Sequence, residues 1–140
     1  MAREARLTLE TVEGSGLRFR AQVDASPEFV LDSGPGQAGP DPMQAVLAAV
    51  AGCTAMDVIA ILRKQRQVVL GYEIVAEGER RETHPRAFTR IVVIHRLRGR
   101  DLDPAKVAEA IRLSETKYCS VHATLRPAVD LSSRFEIVPA

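Results

Sequence analysis

Two cysteines are the residues of this chain best suited to covalent chemistry. Cys53 lies within the apolar segment DPMQAVLAAVAGCTAMDVIAIL, residues 41–62, and Asp57 follows it by one helical turn. Cys119 lies much later, in ETKYCSVHATL. A free cysteine either packs as a small hydrophobic group or reacts as a thiolate. Burial and a neighbouring carboxylate both disfavour a thiolate, so Cys53 considered alone favours packing.

A reactive Cys53 would need a cation to stabilise its thiolate. The segment GLRFRAQVD supplies Arg18 and Arg20 on one face of a predicted strand, with its hydrophobic residues on the other. Either arginine could approach the thiolate, and a solvated strand face is the other interpretation of both. The sequence therefore offers two candidate partners without choosing between them.

Metal and nucleotide sites have little support in the sequence. Structural zinc sites use closely spaced pairs of ligands, and only Cys119 and His122, three positions apart, form such a pair. The segment SGPGQAG lacks the Lys-Ser/Thr ending of a phosphate-binding loop. We therefore predict no metal and no cofactor. His122 could lower the pKa of Cys119 when protonated, or lie on the surface near a helix end.

Length and composition predict one α+β domain spanning residues 1–140. The hydrophobic fraction is 46%, the charged fraction is 26% and the net charge is +1, so no global field attracts nucleic acid or a membrane surface. The arginines of residues 80–100 alternate with hydrophobic residues, which favours a solvated sheet face over an RNA-binding patch. Because polar residues interrupt the longest apolar run, we predict no membrane span and a cytoplasmic location.

The predicted order of elements is βββ-α-ββ-α-β. Three short strands are predicted at Arg6–Val12, Leu17–Val23 and Glu28–Leu31, joined through EGSG and DASP, and a loop without regular structure at Asp32–Pro42. A long helix then runs from Pro42 to about Arg66. Two longer strands follow at Val68–Gly78 and Ala87–Leu97, then a helix that Asp103 caps, a short helix closed by Pro127, and a strand at Arg134–Val138.

The long helix has two features that bear on function. Asp41 and Gln44 form a capping box at its start. Its first half is apolar nearly all round, so it must be covered on every side. Because one small sheet covers one face only, we predict that a second copy of the chain covers the rest, in a homodimer.

The residues around both cysteines resemble a known family. Residues 42–58, PMQAVLAAVAGCTAMDV, and residues 117–125, KYCSVHATL, resemble the OsmC/Ohr family of thiol peroxidases, within its OsmC-like branch. The resemblance covers nearly the whole chain, since the order of elements also agrees. It implies an intertwined dimer in which antiparallel sheets wrap two long central helices.

The resemblance also implies a mechanism in oxidative or osmotic stress defence. Cys53 would attack an organic hydroperoxide and become a sulfenic acid, and Cys119 would resolve it into a disulfide. A dithiol, of which a lipoyl-type dithiol is one candidate, would then reduce the disulfide. Arg18 is the first choice for the thiolate partner and Arg20 the second.

One departure from the family opens a second hypothesis. Peroxidase members carry a glutamate at the start of the long helix that orients the arginine, and this chain has Gln44 in that turn. Gln44 could hold an arginine weakly through its amide oxygen, or serve only the capping box. The alternative is therefore a non-catalytic or small-ligand-binding protein of the same fold. Asp57 resembles a feature of this branch and has no assigned role beyond support of the site.

Overall fold

A computed structural model describes residues 3–10 and 16–140 of the chain. Residues 1–46 and residues 47–140 form two compact units, and each is described by itself. The order of strands and helices over the described residues agrees with the predicted order. The prediction that the whole chain is one domain stays a prediction.

The first unit contains a three-stranded antiparallel sheet. Its strands are β1 (Ala5–Leu9), β2 (Arg18–Val23) and β3 (Phe29–Asp32), paired in the order β1-β2-β3. The predicted end of the first strand, Thr11–Val12, and most of the EGSG turn lie outside the described residues. Ala21 of β2 is buried and its neighbour Arg20 is exposed, as strand alternation requires.

The segment after β3 has no helix or strand, as predicted, and Asp32 organises it. The Asp32 carboxylate accepts hydrogen bonds from the backbone N–H groups of Gly34 at 2.9 Å and Ala38 at 3.0 Å. The backbone N–H of Asp32 donates to the carbonyl of Pro40. These bonds bring the chain back to the start of the long helix.

The long helix α1 (Pro42–Lys64) begins with the predicted capping box. The backbone N–H of Gln44 donates to Asp41 Oδ1 at 2.8 Å, and that of Asp41 donates to Gln44 Oε1 at 2.9 Å. Val50, Thr54, Val58 and Leu62 are the buried residues of this helix. Their spacing of four places them on one stripe, so the helix buries a single face within the chain.

The polar residues of α1 do not by themselves exclude a membrane span, so this argument from composition was wrong, while the expectation that the chain does not span a membrane stays a prediction. By length and composition alone the helix could span one, and only 22% of its most apolar window is buried within the chain. The central helix of a soluble fold passes the same test when other surfaces cover it. The feature to explain is therefore what covers the remaining faces.

The second unit contains a mixed three-stranded sheet. Strands β4 (Val68–Arg80) and β5 (Phe88–Arg100) form the predicted antiparallel hairpin, and β6 (Asp130–Val138) pairs with β5 in parallel. Buried and exposed residues alternate along β5, and its arginines lie on the exposed face. Arg96 lies near Glu73 and Glu136 on the neighbouring strands, which fits the predicted solvated face.

The last strand differs from the prediction in two ways. It begins at Asp130, four residues before the predicted start at Arg134. It also runs parallel to β5, so the expectation of purely antiparallel sheets fails for this pair. The physical reason is the connection, because a helical crossover returns the chain to the same end of the sheet, where only a parallel strand can begin.

That crossover contains three helical segments. They are α2 (Pro104–Leu113), a π-helical turn at Ser114–Tyr118, and α3 (Ser120–Leu125). The Asp103 side chain caps α2 as predicted, by accepting from the Ala105 N–H at 2.9 Å. The core cluster joins α1, β5 and α2 through the buried residues Val58, Leu62, Leu97, Leu102, Val107, Ala110 and Ile111.

Candidate active site

The two cysteines lie beside each other in the second unit. Both are free thiols, Cys119 buried and Cys53 half-buried. The sulfur atoms of Cys53 and Cys119 and a carboxylate oxygen of Asp57 all lie within 4.8 Å of one another. A disulfide has a sulfur-sulfur length of about 2.05 Å, so the two sulfur atoms are close neighbours but are not bonded.

A π-helical turn positions Cys119. Helix α2 ends at Leu113, the chain continues through Ser114–Tyr118, and the Cys119 N–H donates to the Ser114 carbonyl at 2.7 Å. Cys119 then adopts an extended backbone and becomes the N-cap of α3. Single π turns inserted in helical segments are frequent at functional sites. The sequence predicts a helix boundary here but not the π turn.

A chain of hydroxyl groups connects α1 to this turn. Thr54 Oγ1 and Ser114 Oγ lie 2.9 Å apart, and Ser114 Oγ donates to Asp57 Oδ2 at 2.9 Å. Thr54 and Ser114 are fully buried. Their bonds hold the Asp57 carboxylate beside the thiols. Thr54 adjoins Cys53 in the motif, but no sequence signal distinguishes Ser114.

His122 is buried, at 3% exposure, so its interpretation as a surface histidine was wrong. Its Nδ1 atom lies 3.2 Å from Cys119 Sγ, and its backbone N–H donates to the same sulfur at 3.3 Å. Burial is the main effect that lowers the pKa of His122, against a weaker opposing effect of Glu115. The imidazole is therefore neutral at pH 7, and it faces Cys119 as an acceptor or donor of a hydrogen bond.

Cys119 is a poor thiolate in this environment. Burial, with a smaller contribution from the hydrogen bond to Cys53, raises the pKa of the Cys119 thiol to about 11. The N–H groups of His122 and Val121 oppose this shift. Cys119 is thus a protonated thiol at neutral pH, which suits a group that reacts second, after its neighbour has been oxidised.

The other predicted site residues belong to the first unit, and Arg18 has the most defined environment there. Its Nε donates to Asp32 Oδ2 at 3.1 Å, and Asp32 is only 3% exposed. The backbone N–H groups of Gly34 and Ala38, with a smaller effect of Arg18, lower the pKa of Asp32. A buried, ionised carboxylate therefore orients this guanidinium. Sequence reasoning missed Asp32.

Arg20 and Gln44 have simpler surroundings. Arg20 is half-exposed and lies near Glu10 at 3.4 Å and Glu28 at 3.9 Å, a surface arrangement. Gln44 Oε1 accepts from the Asp41 N–H and from Gln37 Nε2 at 2.7 Å. The amide oxygen of Gln44 is therefore used in the capping box and by Gln37.

A second buried polar pair lies between β4 and β5. Tyr72 Oη and His95 Nδ1 are 2.6 Å apart, and their rings stack with centroids 5.9 Å apart. Burial lowers the pKa of His95 to about 4, so this histidine is neutral under ordinary conditions. Burial also raises the pKa of Tyr72. The pair is a neutral hydrogen bond within the sheet.

An apolar cleft of about 410 Å³ opens beside the cysteine cluster. Asp57 belongs to both the cluster and the cleft wall. The wall also includes Ile61, Leu113, Tyr118 and Lys64. A cleft of this size accommodates a small organic molecule.

Comparisons with known proteins agree with this fold. A sequence model of the OsmC-like protein family matches residues 34–134. Protein YhfA of Escherichia coli (strain K12) is 42% identical over 125 residues, which cover 89% of this chain and 93% of that protein. A solved structure of a protein from Aquifex aeolicus VF5 is 28% identical, with a TM-score of 0.87, and covers 100% of this chain and 98% of that one.

A more distant structure has the same fold. The organic hydroperoxide resistance protein OhrB of Bacillus subtilis superposes with a TM-score of 0.64 at 18% identity, over 97% of this chain and 98% of that one. Taken together with the family match, these similarities establish that the chain belongs to the OsmC-like protein family. The predicted membership of the OsmC/Ohr family and the predicted α+β fold are both confirmed.

The burial of Cys119 predicts that its thiol is alkylated slowly in the folded protein. In a Cys53→Ser variant, iodoacetamide should modify Cys119 at pH 8 at least about tenfold more slowly than in the same variant unfolded in guanidinium, because burial suppresses the thiolate. The rate in the folded protein should keep rising from pH 9 towards pH 11. A folded-state rate that levels off by pH 9 would contradict the raised pKa.

Proposed function

We propose that this protein is a thiol peroxidase that reduces organic hydroperoxides in stress defence. The observation that carries the proposal is the pair of free thiols, Cys53 and Cys119, whose sulfur atoms lie within 4.8 Å. Two such thiols provide the nucleophile and the resolving group that the reaction needs. OhrB of Bacillus subtilis, a protein of this fold, is described as an organic hydroperoxide resistance protein.

Cys53 is the nucleophile in this proposal. Its thiolate attacks the terminal oxygen of the hydroperoxide, the O–O bond breaks, and the alkoxide leaves and is protonated to an alcohol. Cys53 becomes a sulfenic acid. Arg18 is the proposed cation for this thiolate, and the hydrogen bond of 3.1 Å that it donates to Asp32 supports a fixed orientation of its guanidinium. Arg20, with its surface ion pairs, has less support for this role.

Cys119 resolves the sulfenic acid. Its sulfur attacks the Cys53 sulfur, a disulfide forms, and hydroxide leaves and is protonated to water. His122 accepts the Cys119 proton at Nδ1, since the neutral imidazole lies 3.2 Å from that thiol. Removal of the proton during attack is needed because burial raises the pKa of Cys119 to about 11. Asp57 and Ser114 hold the two cysteines in position.

A dithiol reductant completes the cycle. Its first thiolate attacks the disulfide and its second releases the mixed disulfide, which returns both protein thiols and leaves the reductant oxidised. The apolar cleft beside Asp57 favours hydroperoxides with a hydrocarbon part over hydrogen peroxide. The reaction needs no metal or other cofactor.

The proposed working form is a cytoplasmic homodimer. The long helix α1 buries one stripe within its own chain, and Met56 on this helix is 72% exposed. Exposed apolar surface of this extent on a central helix is unfavourable in water. The matching surface of a second copy would cover it.

A second candidate function is a non-catalytic, ligand-binding protein of the same fold. Gln44 in place of the family glutamate favours it, because the Gln44 oxygen already accepts from Asp41 and Gln37. The cleft beside Asp57 would then hold a small apolar ligand, and the neighbouring thiols would not turn over a substrate. The two functions differ in whether the buried Asp32 replaces the missing glutamate.

The proposed roles of the two cysteines predict different oxidation products for their serine variants. Cys53→Ser should abolish consumption of cumene hydroperoxide in the presence of a dithiol, because the nucleophile is gone. Cys119→Ser should keep one rapid oxidation and then form a sulfinic acid at Cys53, because no thiol resolves the sulfenic acid. Intact mass after each addition of oxidant distinguishes these products. Hydroperoxide consumption by Cys53→Ser at the wild-type rate would exclude the mechanism.

Asp32 and Gln44 distinguish the two candidate functions. Asp32→Asn keeps one oxygen, which can accept from the Gly34 or the Ala38 N–H but not from both, and it loses the charge that orients Arg18. Sulfenic acid formation should therefore slow at least about tenfold. Gln44→Glu should change the rate far less. Circular dichroism checks that both variants fold. An inactive wild-type protein that gains activity in Gln44→Glu would favour the ligand-binding function instead.

A substitution at Met56 tests the proposed homodimer. Met56→Glu should raise the dissociation constant of the dimer at least about 100-fold, because an unpaired charge would be buried in the interface. Ala108→Glu, on the exposed side of α2, is the matched control and should leave the dimer unchanged. Analytical ultracentrifugation at micromolar concentration measures both. A wild-type chain that sediments as a folded monomer would contradict the proposal.

A further inference from the structure

The cysteine cluster also has the composition of a metal site. Cys53, Asp57 and Cys119 offer two sulfur atoms and one carboxylate oxygen, and each ligand atom lies within 4.8 Å of the other two. Thiolate, imidazole and carboxylate are the ligands that zinc takes in proteins. The ligands come from two distant parts of the chain, so no short sequence motif indicates them.

The spacing of the three ligand atoms suits tetrahedral zinc. With Zn–S bonds of about 2.3 Å and Zn–O bonds of about 2.0–2.2 Å, tetrahedral angles place ligand atoms roughly 3.5–3.8 Å apart. The observed separations are at most 4.8 Å, so no pair must close by more than about 1.3 Å. Side-chain rotation alone can supply such a change.

Outer hydrogen bonds support two of the three ligands, Asp57 and Cys119. Ser114 donates to Asp57 at 2.9 Å and lies 2.9 Å from Thr54 Oγ1, so the carboxylate is fixed in orientation. The backbone N–H of His122 donates to Cys119 Sγ at 3.3 Å, which favours a negatively charged sulfur. Such outer contacts orient ligands and raise affinity in known metal sites.

Charge determines how a metal ion would bind this cluster. In the metal-free protein Cys119 is a protonated thiol, because burial disfavours its thiolate. A divalent ion must therefore displace a proton, and its attraction to the thiolates and to the carboxylate within 4.8 Å drives that exchange.

We propose that the reduced protein binds one zinc ion through Cys53, Cys119 and Asp57, with water in the fourth position. Binding replaces one proton on each thiol by the metal and releases both protons to solvent. This site does not depend on the peroxidase function, because it needs only the reduced ligands and their geometry. Mixed sulfur and oxygen ligands favour zinc over copper(I), which prefers sulfur alone.

The proposal has a consequence for oxidation. The same sulfur electron pairs that bind the metal are needed to attack an oxidant, and the disulfide leaves only the Asp57 carboxylate as a ligand. Zinc and the disulfide are therefore mutually exclusive. The zinc-bound protein should resist oxidation by hydroperoxide or by a general disulfide-forming reagent, and a chelator should restore the reactivity.

A competition experiment tests the site. The full-length protein, reduced and freed of metal, competes with a chromogenic chelator for Zn²⁺. We expect one ion per chain, and Cys53→Ser and Cys119→Ser should each weaken binding at least about 100-fold. Asp57→Asn should weaken it at least about tenfold. Co²⁺ in place of zinc should give the absorption bands of a tetrahedral thiolate complex, which unspecific binding would not.

Two matched controls accompany the experiment. Asp101→Asn changes an exposed carboxylate outside the cluster, and His84→Ala removes an exposed histidine; both should bind zinc like the unsubstituted chain. Circular dichroism of each variant without metal separates loss of a ligand from loss of the fold. The proposal is overturned if Cys53→Ser and Cys119→Ser bind zinc as tightly as the wild type, or if no binding competes with the chelator.

The experiments can contradict the zinc site and the peroxidase function independently of each other. A protein that consumes hydroperoxide but does not bind zinc loses only the metal site. A protein that binds zinc through the three ligands but never oxidises Cys53 with hydroperoxide loses only the peroxidase function.

Discussion

The buried hydroxyl bridge from Thr54 to Ser114 to Asp57 is the interaction on which the geometry of the cysteines depends. It connects the long helix α1 to the π-helical turn with two bonds of 2.9 Å. Cys53 adjoins Thr54 in sequence, and Cys119 follows Ser114, the middle residue of the bridge, by five residues. Since Thr54 and Ser114 are fully buried, breaking either bond would leave an unpaired polar group in the core. The bridge therefore fixes the separation between the two thiols.

A comparable constraint operates in the first unit around Asp32. This carboxylate is nearly fully buried, and it is satisfied by the N–H groups of Gly34 and Ala38 and by Arg18. It shapes the loop before α1 and orients the guanidinium at the same time. In this chain a carboxylate at the end of β3 therefore holds an arginine, while the start of α1, where the peroxidase branch has its glutamate, carries a neutral capping residue.

Much of this arrangement could be predicted from the sequence, because it depends on local signals. Alternation identified the β4–β5 hairpin, and Asp41, Gln44 and Asp103 marked helix starts that the structure reproduces. Pairings between residues that are distant in sequence could not be predicted from these local signals. The bond of Arg18 to Asp32, the burial of His122 and the bridge through Ser114 arise from tertiary packing, which leaves no trace in local spacing. The parallel pairing of β6 was missed because its register depends on the crossover rather than on the strand itself.

The position of Cys119 as the N-cap of α3 connects oxidation to the integrity of that helix. In the dithiol form its sulfur accepts the His122 N–H and so completes the first turn of a helix of only six residues. When the sulfur turns towards Cys53 to form a disulfide, that N–H loses its acceptor. Loss of a side-chain cap costs a helix about 0.5–2 kcal/mol, and a helix of six residues is marginally stable by itself. Oxidation would thus replace a helix cap by a covalent crosslink. In the disulfide form, the segment that precedes β6 would fray locally.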